Sequence, residues 1–252
     1  MFINKKFPSP NYTPLENRKI DYVIMHFTEM TFSSALNRLT DETSQVSAHY
    51  LIKEDGEIFQ LVQDEYVAWH SGKSNWHKED GLNKNSIGIE LDNSGESEFP
   101  DSQMKACIDL SQHLKKKYSI PKHNFIGHSD VAPNRKIDPG LFFNWKLLAE
   151  NELAIWHFLD NLSPDKILFR FGDQNTQIKT LQNNLQKIGY KIENTGIFDL
   201  HTNFVVRAFQ SKFYPEIITN KGIKFYQNNE SKYYWDSNSQ LILEKLLSKI
   251  PA

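Results

Sequence analysis

Apolar positions in the first part of the chain follow two periods. Tyr22-Val23-Ile24-Met25-His26-Phe27 is a β-branched and aromatic run and predicts a buried strand. Phe32 to Leu39 then takes helical spacing. Ala48-His49-Tyr50-Leu51-Ile52-Lys53 and Ile58-Phe59-Gln60-Leu61-Val62 flank Glu54-Asp55-Gly56, and an Asp-Gly pair between such runs predicts a hairpin. Ile87-Gly88-Ile89-Glu90-Leu91 predicts a further buried strand between loops rich in Asn, Ser and Gly. Pro100 opens a helix with Met104, Cys107, Ile108, Ser111 and Leu114 on one face. Lys115-Lys116-Lys117 crowd its C-terminal end, where cations suit the helix dipole. Phe125-Ile126-Gly127-His128 is a short strand that leads into the loop Ser129 to Gly140, and Leu141 to Leu159 is helical in pattern. Strands interspersed with helices predict an α/β fold, a mixed central β-sheet flanked by helices.

Ser163-Pro164-Asp165 marks a boundary, which divides the chain into 1–162 and 163–252. Beyond it, Ile178, Leu181, Leu185 and Ile188 form one helical stripe, ended by Gly189. Val205, Ala208 and Phe209 form a second, ended near Pro215, and Leu243, Leu246, Leu247 and Ile250 form a third. They predict a small C-terminal three-helix domain, with Tyr226 to Trp235 as a polar, aromatic loop.

Composition removes several classes. The 252 residues are 39% hydrophobic and 24% charged, ordinary for a soluble globular chain of one large or two smaller domains. A formal net charge of -2 gives no global basic field, so no nucleic-acid partner is expected. The single cysteine, Cys107, excludes an internal disulfide and reads as a buried structural thiol. No run of about 18 apolar residues predicts a membrane span. Met1-Phe2-Ile3-Asn4-Lys5-Lys6-Phe7-Pro8 lacks the apolar core of a secretory signal. A cytoplasmic location is therefore the expectation, with unconventional export to the periplasm as the alternative.

Three features single out chemistry. His26 ends a buried strand at the edge of a loop, as either a ligand or a hydrogen-bonded structural residue. The loop Gly127 to Gly140 holds a His, two Asp, an Arg and a Lys, restricted by Pro133, Pro139 and Gly140. His128 and Asp138 are close enough in sequence for the loop to fold them onto one ion, and two imidazoles with one carboxylate make an open zinc site. The alternative is a solvated charged loop with an Asp capping the next helix. Glu90 interrupts an apolar strand, where a carboxylate is costly unless it is paired or working, for example as a general base beside metal-bound water. The plain alternative puts it on the polar face of an edge strand. No Gly-x-Ser-x-Gly, Walker phosphate loop, His-Glu-x-x-His or paired-cysteine zinc motif occurs.

Five segments in order resemble the type 2 family of N-acetylmuramoyl-L-alanine amidases, relatives of phage T7-type lysozyme and of peptidoglycan-recognition proteins. They are Val23 to Thr28, Val46 to Ile52, Ala68-Trp69-His70-Ser71-Gly72, Ser86 to Asn93, and Gly127-His128-Ser129-Asp130 through Lys136-Ile137-Asp138-Pro139-Gly140, within roughly residues 15–150. The Glu of the strand motif and the Lys-x-Asp-Pro-Gly ending are most similar to the AmpD/AmiD branch. The resemblance implies His26, His128 and Asp138 as ligands of Zn2+, Glu90 as the acid/base and Lys136 as the cation at the oxyanion. It implies a substrate groove lined by Trp69, His70 and Asn93, with core packing the alternative for Trp69. Arg135 either binds a substrate carboxylate or makes a surface ion pair, and His49 reads as structural. Asn134 stands where many relatives have Gly, and Asn tolerates positive φ. Residues 165–252 resemble a peptidoglycan-binding three-helix domain, through Ile178 to Leu185, Gly189-Tyr190, Thr195 to Asp199, Thr202 and Val205 to Gln210. The implied partners are muropeptides, anhydro-muropeptides or the peptidoglycan polymer. The implied activity is cleavage of the lactyl–L-alanine amide, with a non-catalytic recognition module as the competing reading.

Overall fold

The computed structural model describes residues 1–160, 162 and 166–250. The predicted boundary Ser163-Pro164-Asp165 lies outside the described residues. A six-stranded sheet runs in the order Ile3–Asn4, Ile58–Gln60, Tyr50–Ile52, Ser86–Leu91, Tyr22–Phe27 and Phe125–Gly127. Tyr50–Ile52 and Ile58–Gln60 pair antiparallel across the Asp55-Gly56 turn, as the hairpin signal predicts, and all other neighbours run parallel.

The central strands are continuous apolar runs because both faces of the sheet are covered. Val23, Ile24, Met25, Ile87, Ile89 and Leu91 are all fully buried. Met25 Sδ lies 4.0 Å from Cys107 Sγ, on the helix Asp101–Tyr118, so that helix covers the Met25 face. Alternation along the strand sends His26 to the opposite face. The parallel register sets His26 directly across from Glu90 on the next strand. Neighbouring strands lie about 4.8 Å apart, so backbone pairing alone brings the imidazole beside the carboxylate.

Leu141 to Leu159 is not one helix. Only Trp145–Glu150 is helical, opened by the Asn144 side chain accepting from Leu147 N–H. Glu152 turns into the left-handed region at φ 58°, and Leu153 N–H folds back to Leu148 O at 2.8 Å. Leu141, Phe143, Leu153, Ile155 and Trp156 are buried all the same. Their apolar spacing reflects tertiary packing of irregular chain, which a helical period imitates.

The three C-terminal stripes lie on the helices Thr176–Ile188, Leu200–Phe213 and Ser237–Leu247, except that Ile250 of the third falls past the end of its helix. Each starts on a side-chain cap, from Asn175, Asp199 and Asp236. The predicted Tyr226 to Trp235 loop is more ordered than its polarity suggests. It contains the end of the helix Ile223–Gln227 and the start of the strand Tyr234–Asp236, which pairs antiparallel with Ile167–Arg170. Tyr226, Tyr233 and Trp235 are buried, so these rings serve packing.

One apolar cluster continues from the sheet into the C-terminal helices. At the seam the Trp76 indole covers Gly189, where an added Cβ would lie 2.3 Å from the ring and φ is 134°. Lys212 crosses the same seam to Asp130 as a buried ion pair at 2.7 Å. Removing one partner of such a pair costs about 3–5 kcal/mol, because the other charge is left buried.

Candidate metal centre and active site

His26 comes from the strand Tyr22–Phe27, which lies between Ser86–Leu91 and the edge strand Phe125–Gly127. His128 follows the strand Phe125–Gly127, whose register pairs Gly127 with Met25, so the next residue on each strand faces the same place. The loop then returns Asp138, held by Ser129 N–H donating to Asp138 O at 2.8 Å. His26 Nδ1 and His128 Nδ1 lie 3.0 Å apart. Asp138 Oδ2 is 2.9 Å from the first and 3.0 Å from the second. All three residues are buried, and they form the group among the described residues that could hold a metal ion.

The outer hydrogen bonds decide what these atoms can do. Ser86 Oγ–H donates to Leu82 O at 2.6 Å, so its oxygen accepts from His70 Nε2–H at 3.2 Å. His70 Nδ1 is then a bare acceptor and takes His26 Nε2–H at 3.1 Å. His128 Nε2–H donates to the Ser71 carbonyl at 3.1 Å. Both neutral imidazoles therefore turn Nδ1 lone pairs toward each other and toward a carboxylate oxygen. A single proton satisfies one such pair, whereas a cation satisfies all three donors at once. Burial first, then the His128 charge, lowers the His26 pKa to about 4, and burial holds His70 well below its ordinary value. The His26 ring is thus neutral and ready to ligate near pH 7. Burial alone would raise the Asp138 carboxyl, but a positive charge between the imidazoles and the carboxylate, a proton at His128 or His26 in the metal-free site, outweighs it and keeps Asp138 ionised below the usual range.

The three groups open into a cleft of about 350 Å³, which Trp69, Glu90, Lys136 and Ile137 also line. Glu90 Oε2 has no hydrogen-bond partner among the described residues. Burial, then the Asp138 charge, pushes the Glu90 carboxyl well above its ordinary value, with Lys136 opposing. The structure thus brings together His26, His128, Asp138, Glu90 and Lys136.

The expected groove residues separate. Trp69 is half-buried in the cleft wall, with Nε1–H donating to Thr13 Oγ1 at 2.9 Å. His70 touches the cleft, but both of its ring nitrogens are engaged with His26 and Ser86. Asn93 is buried and accepts from Gly95 N–H at 2.7 Å, shaping its own loop outside the cleft lining. Arg135 donates to the carbonyls of Ser71 and Lys73. His49 accepts from Gly88 N–H at 3.0 Å and faces Tyr66 O at 3.1 Å, a structural position. Sequence reasoning missed Ser71 and Ser86, which fix the imidazole tautomers. A carbonyl and a hydroxyl used this way leave no compositional signal.

A mixed sheet flanked by helices thus sets a His-His-Asp group at the floor of a cleft, with an unpartnered carboxylate alongside, as a site that could hold a metal ion. The family model of N-acetylmuramoyl-L-alanine amidases matches residues 16–141, and that of a peptidoglycan binding domain matches 174–217. The chain is 32% identical over 253 residues to the Escherichia coli N-acetylmuramoyl-L-alanine amidase AmiD, covering 92% of this chain and 83% of that protein. It is 43% identical over 103 residues to the 1,6-anhydro-N-acetylmuramyl-L-alanine amidase AmpD of Haemophilus influenzae, covering 40% of this chain and 56% of that one. Its fold matches Escherichia coli AmiD in complex with anhydro-N-acetylmuramic acid-L-Ala-D-γ-Glu-L-Lys at a TM-score of 0.72 and 29% identity, over 93% of this chain and 92% of the other. This chain belongs to the N-acetylmuramoyl-L-alanine amidase family. No helix among the described residues is long and apolar enough to cross a membrane.

Proposed function

We propose that this chain is a zinc amidase that hydrolyses the amide between the lactyl group of N-acetylmuramic or anhydro-N-acetylmuramic acid and the L-alanine of the stem peptide, in peptidoglycan turnover or recycling. The observation that carries this reading is the convergence of two Nδ1 lone pairs and the Asp138 carboxylate, all within about 3 Å of one another. His26, His128 and Asp138 would hold the ion, and two imidazoles with one carboxylate suit Zn2+ with a fourth position open. When bound, zinc supplies a Lewis acid that lowers the pKa of water toward ~7 and polarises a carbonyl.

Glu90 takes the proton of the attacking water and delivers it to the alanine nitrogen as the C–N bond breaks. The water oxygen ends in the lactyl carboxylate, and the stem peptide leaves with a free amine. The Lys136 ammonium, in the same cleft, stabilises charge on the carbonyl oxygen. Losing a comparable donor in other enzymes costs roughly 2.7–4 kcal/mol. Trp69 offers its ring to the sugar or lactyl group. On their contacts, His70, Arg135 and Asn93 belong to the frame of the site: His70 fixes the His26 tautomer, Arg135 holds the Ser71–Lys73 carbonyls, and Asn93 shapes its loop. Residues 1–162 form the catalytic part and 163–252 the part that engages peptidoglycan, a division supported by where the two family models fall. The anhydro-muropeptide in the AmiD complex supports a soluble fragment as substrate.

The test is mass spectrometry of a purified anhydro-muropeptide incubated with the protein, with chelator, and with zinc restored. Release of a stem peptide beginning at L-alanine, abolished by chelator and recovered with zinc, is expected. A folded, zinc-loaded protein that binds the muropeptide without cleaving it is the result that replaces an enzyme with a recognition module. Parallel turnover on intact sacculi separates fragment recycling from attack on the polymer.

A further inference from the structure

The segment Gly127 to Asp138 carries two of the three proposed ligands, and four buried polar side chains from the C-terminal part of the chain reach it. Tyr190 Oη–H donates to Asp130 Oδ1 at 2.7 Å, and Lys212 Nζ donates to Asp130 Oδ2 at 2.7 Å. The same Oδ2 accepts from Gly127 N–H at 2.8 Å, so Asp130 fixes the turn on which His128 leaves its strand. Arg207 Nη2–H donates to Pro133 O at 2.9 Å. Tyr226 Oη–H donates to Ile137 O at 2.7 Å, on the carbonyl immediately before Asp138 and after Lys136. Tyr190, Arg207, Lys212 and Tyr226 are each at most 5% exposed, and the Lys212 ammonium sits 4.1 Å from the centre of the Trp145 ring.

Burying four polar groups is costly, and directional hydrogen bonds offset the cost only at a defined geometry. An apolar cluster already joins the two parts, so packing alone does not account for four buried donors aimed at one segment. All four donors instead meet the metal-bearing segment, at positions 130, 133 and 137 along it.

We propose that the C-terminal helical domain is a positioning element of the metal centre, in which Tyr190, Arg207, Lys212 and Tyr226 hold His128 and Asp138 at ligating distance. This rests on the ligand assignment above. It adds a role within catalysis to a domain whose resemblance points to wall binding. Outer contacts of this kind typically change metal affinity or activity by about 10–100-fold when lost.

The experiment compares full-length wild type with Tyr226→Phe, Lys212→Met and a control, Ile242→Val. Ile242 is fully buried on the helix Ser237–Leu247 of the same domain. The readouts are zinc dissociation constant by competition with a chromogenic chelator, kcat and KM on soluble anhydro-muropeptide, and melting temperature. Tyr226→Phe, which removes one oxygen, should stay folded, bind zinc about tenfold more weakly and lose kcat with KM unchanged. Lys212→Met should do so more strongly, and Tyr226→Phe still decides the matter if that variant does not fold. Ile242→Val should lower the melting temperature with zinc affinity intact. Wild-type zinc affinity and kcat in a folded Tyr226→Phe would overturn the proposal, as would equal zinc loss in Ile242→Val at the same melting shift. If Asp138→Ala keeps stoichiometric zinc, the ligand assignment itself falls and this proposal with it.

Discussion

The two halves of the proposed metal centre are held by different means. His26 and Glu90 stand on neighbouring strands in register, and the sheet's backbone ladder sets their spacing. His128 opens a single helical turn, His128–Val131, where a strand end and loop were expected, and Asp138 lies on the loop after it; side chains from far along the chain set their spacing. A ladder positions whatever residue occupies the register position, because the hydrogen bonds belong to the main chain. A loop has no such ladder, so it needs closure from within, at Ser129 N–H to Asp138 O, and from without, at Asp130, Pro133 and Ile137. The sheet-borne half should therefore keep its spacing when side chains behind it change, leaving only the His26 tautomer dependent on His70, whereas the loop-borne half should lose its spacing.

The largest effect tests whether both halves serve one ion. Asp138→Ala and His26→Ala should each release zinc and abolish turnover, read by elemental analysis of the purified protein and by peptide release. Zinc retained in one variant and lost in the other would show that the halves do not share a ligand set. Next in size is Glu90→Gln, which keeps the shape of the sheet-borne half but removes its base. Zinc should stay bound while kcat falls by roughly 10²–10⁴. Near-normal turnover would remove Glu90 from the mechanism.

Legibility in the sequence divides along the same line. The strands of His26 and Glu90 were readable because apolar runs are local, and a carboxylate inside one is conspicuous. The hairpin at Asp55-Gly56 was readable because its turn chemistry is local as well. The loop's two metal-facing residues came from the family resemblance and from their crowding with other charged groups. Its supports were not legible: Tyr190, Arg207, Lys212 and Tyr226 look like ordinary helix and loop residues until the chain folds them onto the loop. His70 was placed in the groove on its motif, yet its contacts put it behind His26. The Leu141 to Leu159 stretch failed for the related reason that its apolar spacing serves contacts with distant residues.

A smaller effect probes the support behind the sheet-borne half. Gly88 faces the His70 ring so closely that an added Cβ would lie 2.4 Å from Cγ and 2.6 Å from Nδ1, the atom that receives His26 Nε2–H. Gly88→Ala must displace His70. The expected cost is about 1–3 kcal/mol in stability from overpacking, measured by urea unfolding. Zinc affinity should weaken by roughly tenfold as the His26 tautomer loosens. If stability falls and zinc affinity does not, the register alone holds His26, and the contrast between ladder and loop becomes sharper.

The smallest effect is a slope rather than a loss. His49 lies beneath the site, its Nδ1 accepting from Gly88 N–H and its Nε2 facing Tyr66 O, so the neutral ring is fully used. Burial, then the Arg18 charge, lowers its pKa to about 3. In the unfolded chain the same imidazole takes up a proton near pH 6.5. Between those values the unfolded state binds more protons than the folded state, so stability falls as pH drops from about 6.5 toward about 3. One imidazole contributes at most about 1.4 kcal/mol per pH unit over that window. Urea midpoints of the metal-free protein between pH 7 and pH 5 should therefore decline on acidification, and His49→Gln should flatten the decline even if it lowers stability throughout. An unchanged slope in that variant would mean that His49 does not sit neutral against Gly88. The strand that positions Glu90 would then owe less to its buried histidine than to its backbone ladder.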